Sequence, residues 1–113
     1  MPELPEAETI RRQLEAEVTA KTVKRLELLH PRVWRAHGSP QELAALVEGR
    51  RIVGVGRRGK APYLLLDGKR PSVLIFRLGM TGLVRVVKSG EPSDKQPVAV
   101  IALNDRREIR FYD

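Results

Sequence analysis

The sequence predicts an α+β domain: a two-layer antiparallel β-sandwich of about seven to eight strands flanked by two helices. Three observations carry that expectation. An amphipathic stretch opens the chain, and a second, clearly capped helix follows near residue 40. From Arg51 onward the apolar runs are short and punctuated by turn pairs, Asp67-Gly68, Ser89-Gly90 and Asn104-Asp105. At 113 residues, with no repeat or internal linker, the chain is one domain with one modest core.

The first helix is expected from about Pro5 to Thr19. Leu4, Ala7, Ile10, Leu14 and Val18 recur at three- and four-residue spacing and make one apolar stripe. Arg11, Arg12 and Glu15 fall largely outside it. Pro5 suits a first turn, where a missing N–H costs nothing. Glu6 in that turn suits the helix dipole.

A strand follows at Thr22–Leu29, with Val23, Leu26 and Leu28 as inward candidates. His30–Gly38 reads as a loop, with Trp34 as a core plug and His30 and His37 as solvated residues. Ser39 is the N-cap of the second helix, Pro40 its first residue, and Glu42 completes a capping box. Leu43, Leu46 and Val47 form its apolar face, and Gly49 stops it. The remaining strands are expected at Arg51–Gly56, Tyr63–Leu66, Val73–Leu78, Leu83–Val87, Val98–Leu103 and Glu108–Tyr112. Ser89–Gln96 is polar and reads as a mobile loop.

Charge narrows the function classes. There are 21 Lys and Arg against 14 Asp and Glu, a net charge of +7. That balance favours a polyanionic partner such as nucleic acid. No apolar run is long enough to span a membrane, and the acidic start is unlike a signal peptide. With no cysteine there is no disulfide and no thiolate metal site, and two histidines are too few for zinc. The expectation is a soluble, cytoplasmic monomer without a membrane partner.

The chemistry concentrates at Met1-Pro2-Glu3-Leu4-Pro5-Glu6. A small second residue allows Met1 to be removed, which leaves Pro2 as a secondary amine with a pKa of about 7.7–8.0. A useful fraction of such an amine is neutral near physiological pH. It can attack a carbon electrophile and form an iminium. Glu3 adjoins it and Glu6 lies one turn further on, so proton transfer is available nearby. The first helix would then carry the active site. The plainer reading is that Pro and Glu simply suit a helix start.

The run PELPEAETIRR resembles the N-terminus of the formamidopyrimidine-DNA glycosylases, base-excision repair enzymes of bacteria. RRGKAPYLLLDG at 57–68 and RLGMTG at 77–82 match the same family in the right order. The resemblance covers the whole chain but only the N-terminal domain of the family. It implies a bifunctional DNA glycosylase/AP lyase for oxidised purines, acting on double-stranded DNA with oxidised bases or abasic sites. It implies that Pro2 attacks C1′ and proceeds through a Schiff base. By the same resemblance Glu3 is the proton donor and acceptor at the sugar, and Glu6 orients the site.

For DNA contact, the resemblance points to Lys60 on the backbone beside the lesion, with Arg57 and Arg58 in the basic run before it. Met80 would fill the gap left by a flipped base, as an apolar wedge can. The family commonly has His where this chain has Arg77, a residue that can also hold a phosphate. The family also runs from Gly-Lys straight into Tyr-Leu-Leu, whereas Ala61-Pro62 intervene here.

In relatives the strand reaching the counterpart of Asp113 continues into Pro-Arg-Arg-Phe-Gly. A helix–two-turns–helix domain and a zinc finger follow. The chain is therefore expected to be an isolated or truncated N-terminal domain over 1–113, with no cofactor of its own and the family's structural zinc elsewhere. Weak, salt-sensitive DNA affinity and little turnover are the matching expectations. The alternative is a non-catalytic DNA-binding β-sandwich that keeps the family scaffold.

Overall fold

The structure, a computed structural model, describes residues 4–35, 38–70, 72–78 and 82–113. Its elements run α1 (Leu4–Val18), β1 (Val23–Leu28), α2 (Pro40–Val47), β2 (Ile52–Arg58), β3 (Ala61–Leu66), β4 (Ser72–Ile75), β5 (Leu83–Lys88), β6 (Ala99–Leu103) and β7 (Arg107–Tyr112). They form two antiparallel sheets, one of four strands in the order β1-β6-β7-β5 and one of three in the order β2-β3-β4. The expected α+β sandwich with two flanking helices is the observed architecture.

One core joins both sheets and both helices. Leu14 and Val18 of α1, Val47 of α2, Ile52, Leu64 and Leu66 of the small sheet, and Ile101 and Ile109 of the large one are its members. Phe76, just past β4, meets Phe111 of β7 edge to face at 5.7 Å, linking the sheets at one end. Alternation along β7 sends Ile109 and Phe111 into this core. Glu108, Arg110 and Tyr112 therefore point to the other face of the large sheet.

Helix α1 buries Ala7, Leu14 and Val18 as its stripe predicts. It ends at Val18 rather than Thr19 because Ala20 takes the left-handed conformation (φ 74°). That turn is tied by the Ala20 N–H to the Ile52 carbonyl at 2.7 Å. A non-glycine residue there carries a steric cost of roughly 1–2 kcal/mol.

Two expectations fail locally. Leu46 does not lie on the buried face of α2: it is 64% exposed, and Leu43, Ala44 and Val47 face the core instead. The eight-residue helix packs mainly on β1, so its apolar face is narrower than the spacing suggested. Trp34 is not a core plug. It stays half-buried behind a short 3-10 turn, Pro31–Val33, whose start His30 caps. Val33 is the residue of that segment packed on the core. The 89–96 segment is a loop, as expected, and it is tied to β7 by hydrogen bonds. Ser89 N–H donates to Arg106 O at 3.0 Å, and Arg110 donates to Glu91 O at 2.6 Å. Ser93 and Tyr112 hydroxyls share a hydrogen bond at 3.1 Å.

Candidate active site

Pro2, Glu3 and Met80 lie outside the described residues. What the structure places is the frame around them. Helix α1 starts at Leu4, two positions after Pro2 in sequence. Glu6 stands in its first turn, exposed to solvent. It opens onto a groove of about 620 Å³ between α1 and β5. Glu6, Thr9, Ile10 and Gln13 line one wall, as three- and four-residue spacing on one helix face requires. Gly82 opens the other wall. That glycine closes the Leu-Gly-Met-Thr-Gly run, whose opening residue, Leu78, is anchored in the core. Gly82, which follows Met80 in sequence, thus shares the groove with Glu6.

The second part of the frame is the β2–β3 hairpin. Arg58 pairs with Ala61, so Gly59 and Lys60 alone make the turn. Gly59 has φ 60° and Lys60 does not have a positive φ, the pattern of a type II′ turn with glycine first. Sequence reading ended the strands too early here. Ala61 and Pro62 are the first residues of β3, and Pro62 is fully buried. The two residues that interrupt Gly-Lys-Tyr are absorbed as a longer hairpin. Lys60 stays at its tip, half-buried.

Arg57 connects the hairpin to the helix. Its Nε donates to Glu8 Oε1 at 3.1 Å and its Nη1 to the Gly59 carbonyl at 2.7 Å. Glu8 also accepts from Arg11 through two bonds, at 2.8 and 2.9 Å, and from Arg12 at 2.8 Å. These arginines, Arg11 foremost, then Arg12 and Arg57, hold the Glu8 carboxyl far below the ordinary carboxylate range. Arg11 is correspondingly pushed up, first by its bonds to Glu8. Sequence reading missed Glu8. Its spacing to Arg11 and Arg12 was legible, but the tie to Arg57, 49 positions away, was not.

The other two predicted cations sit further out. Arg58 is exposed at the end of β2. Arg77 is exposed between buried Phe76 and Leu78, on the segment leading from β4 to the loop.

A second cleft of about 430 Å³ lies on the outer face of the large sheet, under residues 91–95. Its floor holds Arg110, nine-tenths buried, with Nε on Glu108 Oε2 at 2.7 Å. Glu108 is the first cause of a raised Arg110 pKa. Arg85 stands directly opposite on β5. Like charges in that position repel, so the Glu108 carboxylate and Glu91 carbonyl are what make the pairing tolerable.

Comparison with known proteins agrees with this fold. The family described as formamidopyrimidine-DNA glycosylase N-terminal domain matches residues 1–113. A formamidopyrimidine-DNA glycosylase of Mycobacterium avium is 48% identical over 114 residues, covering all of this chain and 39% of that protein. The fold superposes with a TM-score of 0.85 on MutM in complex with DNA containing carbocyclic 8-oxo-G, at 28% identity over 99% of this chain and 41% of that one. The Lactococcus lactis Fpg in complex with DNA containing an abasic site gives 0.85 at 27% identity, over 99% and 40%. The chain thus spans about two fifths of the length of the curated relatives it matches.

Proposed function

The chain belongs to the formamidopyrimidine-DNA glycosylase family, and we propose that it supplies the catalytic part of a bifunctional DNA glycosylase/AP lyase for oxidised purines. In this reading Pro2, freed by loss of Met1, attacks C1′ of the damaged nucleotide. The base departs and a Schiff base forms, from which the strand is cut by β- and δ-elimination. Glu3 exchanges protons at the sugar, and Glu6 orients the site from the first turn of α1. Lys60 and Arg77 hold backbone phosphates beside the lesion, Arg58 extends the cationic rim, and Met80 takes the space of the extruded base. The setting is a cytoplasmic monomer acting on duplex DNA.

One observation carries this reading. Glu6 shares a groove with Gly82, and the turn bearing Lys60 is tied to the same helix through Arg57 and Glu8. An acid in a groove that Gly82 also lines, with a phosphate-binding turn tied to the same helix, suits covalent chemistry on an everted nucleotide. Relatives solved with 8-oxo-G and abasic DNA support the same substrate class.

Binding to an abasic-site duplex, measured against salt, tests the interface. The expected result is tighter binding than to undamaged duplex, with a log–log slope that drops by about 1 in Lys60→Ala. Equal binding to both duplexes, with an unaltered slope, contradicts it. Preferential binding without any covalent intermediate favours the second reading, a DNA-binding scaffold without catalysis.

A further inference from the structure

We propose that Glu8 is a positioning residue, which acts through Arg57 to set the Gly59-Lys60 turn against the N-terminal end of α1. The proposal rests on the reading of Lys60 as a phosphate-binding residue and explains how its place is fixed.

Pairs three and four residues apart on a helix surface are common and contribute little. Glu8 does more than make such pairs. Arg11 grips both of its oxygens and Arg12 holds Oε2, which leaves Oε1 aimed at Arg57. Arg57 is a single planar fork with two separate engagements. One edge takes Glu8, and Nη1 takes the carbonyl of Gly59. That carbonyl belongs to the peptide bond whose nitrogen is that of Lys60. A rigid guanidinium therefore fixes the plane of the peptide that launches the lysine side chain.

The turn needs such a tether. Two residues close it, and nothing lies within 4 Å of where a Cβ on Gly59 would sit, so the glycine half of the turn has no side chain packed against that position. Glu8 and Arg57 keep 26% and 30% side-chain exposure, so water still reaches the pair and its role is to position the turn rather than to add stability. The low Glu8 pKa fits a carboxylate charged at every working pH.

Three variants of the 113-residue chain test the proposal: Glu8→Gln, Arg57→Lys and, as a control that leaves the hairpin tie intact, Arg12→Gln. Backbone order parameters of the Gly59 and Lys60 amides are expected to fall from about 0.85 to below about 0.6 in the first two and to hold in the control. Arg57→Lys keeps the charge but cannot span both acceptors, so it decides the matter if Glu8→Gln perturbs the fold. On an abasic-site duplex, Lys60→Ala is expected to weaken binding about tenfold in the parent and less than about twofold in the Glu8→Gln background. Unchanged turn dynamics in Glu8→Gln and Arg57→Lys overturn the proposal, whatever the DNA result. So does an equal Lys60→Ala penalty in both backgrounds. A parent chain that ignores abasic DNA refutes the phosphate-binding reading instead, and the relaxation data then decide on their own whether Glu8 holds the turn.

Discussion

Two charge clusters of this domain use the same chemistry to different ends. At the groove end of α1, Glu8 gathers Arg11, Arg12 and Arg57 at a surface that water still reaches. On the outer face of the large sheet, Arg110 and Glu108 pair beneath residues 91–95, both at most 9% exposed. Exposed pairs contribute little stability because water and salt screen them. Buried pairs are costly to break because a lone charge is left in a poor solvent. The first cluster is therefore placed to align elements, and the second to seal a sheet. Burial, more than the number of bonds, decides which role an ion pair plays.

The largest test of that contrast is Arg110→Ala. It strands Glu108 between β-branched and small neighbours, Val87 and Ala102. The expected loss is about 3–5 kcal/mol in denaturant unfolding. Replacing both partners, Arg110→Met with Glu108→Leu, is expected to recover most of it. A loss below about 1 kcal/mol for the single change would place this pair in the surface class.

Next comes Gly56→Ala, which asks whether packing, rather than charge, holds the hairpin together. A Cβ on Gly56 would come within 2.4 Å of the Tyr63 ring that lies across it. The ring must move off, at an expected cost of about 1–2 kcal/mol by thermal or chemical unfolding. A neutral result would mean that Tyr63 swings aside freely.

The smallest effect belongs to Glu8→Gln, and pH gives its sign. The folded carboxyl titrates below its unfolded value, so its contribution is complete above the unfolded pKa of about 4.3. It is lost progressively as pH falls below that, toward the folded value. The gap in melting temperature between parent and Glu8→Gln is thus expected to be small at neutral pH, smaller in high salt, and to narrow further on acidification. A gap that widens in acid contradicts the sign.

Much of this was legible in the sequence, for physical reasons that differ by element. All seven strands among the described residues were foreseen, because each is a short segment with recurring apolar residues, bounded by turn signals. The Ser39 cap of α2 was read correctly, and its hydroxyl accepts from the Glu42 N–H at 3.1 Å. Leu46 was misassigned because spacing on an eight-residue helix does not say how much of its circumference a neighbour covers. The hairpin was cut short because Pro62 reads as a strand breaker. Here its ring is buried and its carbonyl still accepts from the Phe76 N–H. At the site, resemblance pointed to Pro2, Glu3, Glu6, Lys60 and Met80; of these the structure describes Glu6 and Lys60, and it brings Glu6 and Gly82 into one groove. The link from Glu8 through Arg57 to Gly59 could be found only in three dimensions.

The central claim is that the mature amine of Pro2 is the nucleophile. Borohydride trapping on a duplex with one abasic site, read by intact mass and peptide mapping, tests it most directly, because reduction fixes an iminium as a stable amine. The account predicts one covalent adduct, on Pro2, in chains that have lost Met1, and its absence in Pro2→Gly analysed alongside. A folded, Met1-processed chain that binds the duplex yet yields no adduct, or one that maps to a lysine, would contradict it.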